Sequence, residues 1–426
     1  MELSIKNIGK IKEADVSISG ITVIAGENNT GKSTVGKVLF SLISSMYRLD
    51  QIIAEEKKQA IMNTIIKYEQ RIMRVPRFQF IIGEIESTGK LITEKVCNID
   101  ASKNEKQITE EIKDILIKYT RNNYKIFEKE LDDATQAIYN ILKITDSDFI
   151  KIKLTKNFNQ EFASQINNIF SNEKAEIKLK LNDNTIKIEF TDNEVSAVQT
   201  LNLYHDVVYI DSPLILNEWE YVKFLDIGSH RRNLIVRLFL KNETNTYEEI
   251  LAKENLKTIT DMINEIVAGD LIEERQDSGY KLNYKIKGAE KILSVKNLSS
   301  GIKIFALLKR LILNGVIRDG ETIILDEPEI HLHPEWQLVF AELIVLLQKN
   351  FNVHILLTTH SPYFLNAIEV FSKKHGIQDK CNYYIAVNQD HEAILENVNG
   401  DLERIYSQLA RPLQDLENEE YRYGNE

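Results

Sequence analysis

The chain has 426 residues, 43% of them hydrophobic and 27% charged, a globular composition that excludes disordered and fibrous classes. Its 53 Lys and Arg against 64 Asp and Glu leave a net charge of −11, the wrong sign for a protein that coats nucleic acid, so any such contact must be local. The two cysteines, Cys97 and Cys381, are far apart and outside any CxxC spacing, which suggests neither a disulfide framework nor a zinc site and fits a reducing cytoplasm.

The N-terminal MELSIKNIGKIKEADVSI alternates and is charged, so it does not read as a signal peptide. The sequence holds no 18-residue apolar stretch for a spanning helix, and the expectation is a cytoplasmic protein with no membrane contact. The first strands are read at Leu3 to Ile8 and Asp15 to Ile18. A buried apolar strand, Ile21 to Ala25, then runs into a glycine-containing loop. Between Pro76 and Pro213 there is no proline, and between Gly89 and Gly228 no glycine, a span that favours long uninterrupted elements.

Within that span Ile108, Ile112, Ile115, Tyr119, Ile126, Leu131, Ala134, Ile138 and Leu142 recur mostly at three- to four-residue steps. The spacing predicts amphipathic helices, as a hairpin or bundle or, alternatively, a coiled-coil seam. Lys174 to Phe190 alternates around Asn182, Asp183 and Asn184, which reads as a β-hairpin. Further on, ETIILDEPE and NVHILLTTHSP are apolar strands separated by a helix over Pro334 to Asn350, the order of a parallel βαβ unit. The expected fold class is α/β, a nucleotide-binding body with a mixed sheet, interrupted by a mostly helical insertion. The expected boundaries are body 1–90, insertion 91–204, body 205–390 and a helical tail 391–426.

Gly26, Glu27, Asn28, Asn29, Thr30, Gly31, Lys32 and Ser33 satisfy GxxxxGKS/T between a strand and a helical pattern. The glycines let backbone N–H groups turn inward to cradle phosphates, Lys32 adds a point charge, and the Ser33 hydroxyl reaches Mg²⁺. Gly26, Asn28, Asn29, Thr30, Gly31, Lys32, Ser33 and Thr34 are the expected nucleotide-binding set. Thr322 to Glu327 is an apolar strand ending in two acids. A parallel strand delivers that end to the edge carrying the phosphate loop, so Asp326 can hold the metal together with Ser33, and Glu327 can polarise the attacking water. Asn297 to Lys303 presents serine and glycine at a helix start, a second anion site or simply a capped helix. His360 ends the last core strand within Thr358 to Pro362, where it can hydrogen-bond a γ-phosphate.

In this order and spacing the chain resembles the ABC-type ATPases, and more closely the soluble ABC-like group of OLD-family, SMC and RecF proteins, from residue 1 to about 370. The resemblance puts Gly26 to Thr34 at the Walker A loop, Asp326 and Glu327 at Walker B, and His360 at the switch histidine. Leu298, Ser299 and Gly301 match the LSGGQ signature, with Ser300 and Ile302 departing from it and Lys303 matching the basic residue that often follows. DEPEIHLHP at Asp326 to Pro334 is typical of the OLD-like branch and places Glu329 to His333, with His331 and His333 among them, in the dimer-crossing D-loop; the alternative of a zinc pair has the wrong helical spacing and lacks further ligands. Gln79 is the candidate for the Q-loop glutamine.

The resemblance implies a homodimer sandwiching two ATP molecules, each held by Walker A of one chain and by Ser299 and Gly301 of the other, with Glu327 and His360 catalytic. Its first functional implication is an ATPase of a bacterial antiphage or toxin-type system, similar to those of Septu and PARIS, that controls a separate effector, a nuclease or toxin. Residues 371–426, with a strand NYYIAV and a helix LERIYSQLARPLQDL, do not read as a TOPRIM nuclease. The alternative is a RecF- or SMC-like ATPase of DNA repair. That would need a local basic groove, for which Lys118, Arg121, Lys125 and the run His230, Arg231, Arg232 are the candidates, unless they serve as a solvated face or as anchors for acidic partners. A transporter subunit fits the degenerate signature and the long insertion poorly, and a nucleotide kinase would need neither signature nor switch histidine.

Overall fold

The computed structural model describes residues 1–73, 82–100, 102–119, 128–218, 228–239, 257–276 and 279–423. Gln79, Arg121 and Lys125 lie outside the described residues. The chain divides into two compact units, Met1–Tyr47 with Lys153–Glu426, and Arg48–Ile152.

The smaller unit contains helices α2 (Leu49–Met73), α3 (Ile82–Cys97), α4 (Glu105–Tyr119) and α5 (Glu128–Lys143). In it α2 packs on α3 and α5, and α4 on the same two. Ile61, Ile65, Ile92, Ile112, Leu116, Leu131 and Ile138 form its core, so the three- to four-residue apolar spacing builds a helical bundle. The helices from Leu49 onward, expected in the body, therefore lie in the smaller unit. The unit boundary falls inside α6 (Asp146–Phe162).

The larger unit is built on an 11-stranded sheet of order β6-β5-β4-β1-β2-β14-β13-β3-β12-β11-β7. These strands are β1 (Glu2–Ile8), β2 (Ile11–Ser17), β3 (Ile21–Gly26), β4 (Ala175–Leu181), β5 (Asn184–Thr191), β6 (Glu194–Gln199), β7 (Val207–Ile210), β11 (Thr322–Asp326), β12 (His354–Thr359), β13 (Cys381–Gln389) and β14 (Glu392–Asn397). A separate three-stranded antiparallel sheet holds β8 (Gly269–Gln276), β9 (Gly279–Ile286) and β10 (Ile292–Ser294). The large sheet is mixed: β13, β3, β12, β11 and β7 run parallel, whereas β1, β2, β4, β5 and β6 pair antiparallel. The hairpin at 174–190, expected in the insertion, continues this sheet through Ile5 opposite Ile177. The expected tail boundary at 390 falls inside the β13–β14 hairpin, whose first strand borders β3.

Among the described residues, helices α1 (Lys32–Met46), α7 (Ile215–Glu218), α8 (Ser229–Phe239), α9 (257–266), α10 (Ser300–Leu313), α11 (Pro334–Phe351), α12 (Pro362–Lys374) and α13 (Glu403–Tyr423) also belong to this unit, with the part of α6 from Lys153 onward. β3 is buried at every position, as a central parallel strand covered on both faces must be. Val23, Leu325 and Leu357 of the sheet share one core with Phe305, Phe340 and Phe364 of α10, α11 and α12. Ser361 caps α12 by accepting from the N–H of Phe364 at 3.1 Å, with Pro362 at its first position, so the chain enters a helix directly after His360. Among the described residues no helix is long and apolar enough to cross a membrane.

Candidate active site

Parallel pairing sets the site. Thr358 of β12 is in register with Asp326 of β11 and with Ile24 of β3, and Thr359 is level with Ala25. The C-terminal ends of these strands therefore bring the phosphate loop, Asp326 and His360 to one edge.

Two glycines of the loop are demanded by space and backbone. A Cβ on Gly26 would lie 2.7 Å from the carbonyl oxygen of Ala386, and Gly31 has φ 78° with Ile11 Cγ1 3.0 Å from the same position. Asn29 also adopts φ 61°, a region asparagine tolerates, and its carbonyl accepts from Lys10 Nζ at 2.7 Å. Thr30 Oγ1 donates to the Glu27 carbonyl at 2.8 Å and fixes the loop from inside.

Lys32, the first residue of α1, is buried. Its Nζ donates to the Glu27 carbonyl at 2.7 Å, stands 3.5 Å from His360 Nδ1 and 3.9 Å from Glu327 Oε1. Burial pulls its pKa below the ordinary lysine value, although Glu327 and Asp326 oppose this. The neighbouring Ser33 hydroxyl donates to Asp326 Oδ1 at 3.1 Å. Asp326 also accepts from Thr358 Oγ1, again at Oδ1, and from Tyr209 OH at Oδ2, 3.1 Å away. Three hydroxyls thus fix one carboxylate, and Ser33 Oγ with the Asp326 oxygens makes an all-oxygen donor set that suits a hard divalent cation such as Mg²⁺.

Glu327 has φ 48° and ψ 49°, a left-handed conformation that costs a residue with a Cβ about 1 kcal/mol. Its N–H donates to the carbonyl of Thr358 at 3.2 Å and to Thr358 Oγ1 at 3.1 Å, contacts that hold the strained turn in place. The turn aims the carboxylate at His360, whose Nε2 contacts Glu327 Oε1. Burial raises the Glu327 pKa, but the hydrogen bond and charge of His360, with Lys32, outweigh it and hold the group below the ordinary glutamate range. Glu327 is ionised at neutral pH and able to accept a proton.

Behind this pair Glu329 is buried, and its Oε1 accepts from Thr359 Oγ1 and from the His360 N–H at 3.1 Å. Burial pushes its pKa up, which favours the neutral acid.

Lys32, Ser33, Asp326, Glu327 and His360 therefore meet in one cluster. Ser299 and Gly301 do not join it: Ser299 Oγ caps α10 by accepting from the N–H of Ile302 at 3.3 Å. A Cβ on Gly301 would meet Trp336 at 2.9 Å and the His331 carbonyl at 3.2 Å. His230 and Arg231 form no free basic face. His230 sits between Glu161 and Asp211, and Arg231 donates to Asp211 at 2.7 Å. The sequence reading gave Thr358 and Tyr209 no role and placed Glu329 only at the start of the D-loop segment. Thr358 and Glu329 stood within the motifs, each two residues from a recognised position, whereas VVYI around Tyr209 signals only a buried strand.

Curated relatives similar to the chain include the following two. Endonuclease GajA of Bacillus cereus (strain HuB5-5) is 24% identical over 414 residues, covering 88% of this chain and 57% of that protein. The retron Ec83 probable ATPase of Escherichia coli is 27% identical over 204 residues, covering 43% of this chain and 35% of its own length. The chain thus spans little more than half of the first relative and about a third of the second. Among solved structures, an SMC head domain with an extended coiled coil, bound to the C-terminal domain of ScpA and derived from Pyrococcus furiosus, aligns over 98% of both chains at 11% identity with a TM-score of 0.41. The SMC head domain from Thermotoga maritima aligns over 93% of this chain and 98% of its own at 10% identity and a TM-score of 0.36. A family model described as an AAA ATPase domain matches residues 1–365, a span that holds the whole of the Lys32, Asp326 and His360 cluster, and the chain belongs to that family.

Proposed function

We propose that this chain binds and hydrolyses ATP with Mg²⁺, as a homodimer that gates a separate effector, a nuclease or toxin, in a bacterial antiphage defence system of the Septu or PARIS kind. The observation that carries the ATPase reading is the convergence of a buried lysine, a serine–aspartate oxygen pair and an ionised glutamate paired with a histidine at the C-terminal ends of the parallel strands. The loop amides and Lys32 hold the phosphates. Ser33 and Asp326 would hold Mg²⁺, which when bound draws charge from the phosphate oxygens.

Glu327 orients the attacking water through its carboxylate and accepts a proton as the water oxygen bonds to the γ-phosphorus. The bond from that phosphorus to the bridging oxygen breaks, and ADP and phosphate result. His360, within reach of both Glu327 and Lys32, reports the γ-phosphate by exchanging Glu327 for it. Ser299 and Gly301, apart from the cluster of their own chain, serve the nucleotide of the partner subunit.

The defence role is supported by the similarity to the endonuclease GajA and to the retron Ec83 probable ATPase. The test is ATP turnover together with capture of bound molecules by tagged Glu327→Gln protein, charged with ATP, in cells carrying the neighbouring genes. A stoichiometric nuclease or toxin is the expected result. Bound DNA without a protein partner would overturn the effector reading in favour of DNA repair.

A further inference from the structure

Tyr209 lies on β7, next to β11, and its ring is buried. Its hydroxyl donates to Asp326 Oδ2 at 3.1 Å, the carboxylate oxygen that Ser33 and Thr358 leave to it. On one side the ring meets α1: a Cβ on Gly36 would lie 3.3 Å from Tyr209 Cζ and OH. The ring also stacks on the His230 imidazole, with ring centroids 4.5 Å apart and planes 29° from parallel. Phe40 meets the edge of His230 at 6.0 Å.

His230 is itself fixed. Its Nδ1 is 2.6 Å from Glu161 Oε2, its Nε2 is 3.3 Å from Asp211 Oδ2, and its N–H donates to Glu161 Oε1 at 2.7 Å. Ser229 Oγ donates to the same Glu161 oxygen at 2.6 Å, and Arg231 pairs with Asp211. A chain of contacts therefore runs from Glu161 on α6 and Asp211 after β7, through the His230 and Tyr209 rings, to the carboxylate beside the phosphate loop.

We propose that Tyr209 is a positioning residue for Asp326, holding its Oδ2 so that the carboxylate faces the metal, and that His230, clamped between Glu161 and Asp211, sets the orientation of Tyr209. This inference rests on the ATPase reading of the site. A ligating carboxylate needs its remaining lone pairs bound if it is to keep one orientation, and loss of such a support weakens the metal more than the substrate. Tyr209→Phe removes one oxygen and keeps the packed ring.

Two measurements test it: the Mg²⁺ activation constant of ATP turnover, and Mn²⁺ binding, by electron paramagnetic resonance, to the protein complexed with a non-hydrolysable ATP analogue. Tyr209→Phe is expected to raise both metal constants about tenfold, with KM for ATP at saturating metal unchanged. His230→Gln should act in the same direction, and the double variant Tyr209→Phe with His230→Gln should do no more than Tyr209→Phe alone, because both act through one contact. If Asp326→Asn loses metal while Tyr209→Phe binds it as wild type does, the positioning inference is overturned and the ATPase reading stands. If wild type binds no Mn²⁺ with the analogue, both are overturned. Additive single effects would remove His230 from the array.

Discussion

Lys32 Nζ and Glu327 Oε1 stand 3.9 Å apart, a cation and an anion held too far for a hydrogen bond while His360 touches both. The arrangement leaves Glu327 ionised without locking it to the lysine. Replacement by glutamine keeps the shape and removes the proton acceptor. Glu327→Gln should lower ATP turnover by a factor of about 10² to 10⁴ while nucleotide still binds, and ATP should convert the variant into a stable dimer by light scattering. Turnover at the wild-type rate would refute the role of Glu327.

Lys32→Ala removes a buried cation beside two carboxylates. Binding of a fluorescent ATP analogue should weaken by tenfold or more with little change in melting temperature, because Glu327 keeps its contact with His360, Asp326 keeps its three hydroxyls, and burial disfavours the lysine's own charge. Retained affinity would separate Lys32 from phosphate recognition.

At the start of α10 Ser299 acts through its hydroxyl and Gly301 through the absence of a Cβ. Ser299→Ala removes a helix cap and should cost about 1 kcal/mol in urea unfolding, whereas Ser299→Thr should not. Ser299→Arg should in addition abolish the ATP-dependent dimer of Glu327→Gln while monomers still bind ATP. Gly301→Ala drives a methyl into Trp336 and should cost about 1–3 kcal/mol. An unchanged dimer in Ser299→Arg would exclude a site shared between subunits.

Glu329 makes stability depend on pH in a definite direction. Its folded pKa is raised, chiefly by burial, so between the ordinary glutamate value near 4.3 and the raised one the native state binds more protons. Stability must then fall as pH rises through that window. Glu329→Gln keeps an oxygen that accepts from Thr359 and the His360 N–H, and it has no charge to lose. Melting curves should show the variant gaining on wild type from pH 4 to pH 8; a constant difference would mean that Glu329 is not buried as an acid.

What could be read from the sequence was whatever is written locally. The phosphate loop, the acidic strand end and His360 each lie within a few residues of the strand that delivers them, so spacing alone located them. Tyr209 reaches Asp326 across 117 positions, and only the β7–β11 register makes that contact. The smaller unit begins earlier than the expected boundary because its entry is a single turn residue, Arg48 at φ 48°, with neither glycine nor proline to announce it. The hairpin at 174–190 gave its own strands away by alternation, but its partner, β1, lies over 160 residues upstream.

The position of β3 between β12 and β13 bears on the order in which the protein comes into being. The strand that carries the phosphate loop leaves the ribosome more than 300 residues ahead of either of its neighbours. At roughly 5–20 residues per second, Ile21 to Gly26 wait some tens of seconds without partners, an apolar segment open to wrong pairing. A chain cut short before His354 would lack both neighbours and be left in that state permanently, so such a truncated product should be cleared or aggregate rather than persist as a half-active enzyme.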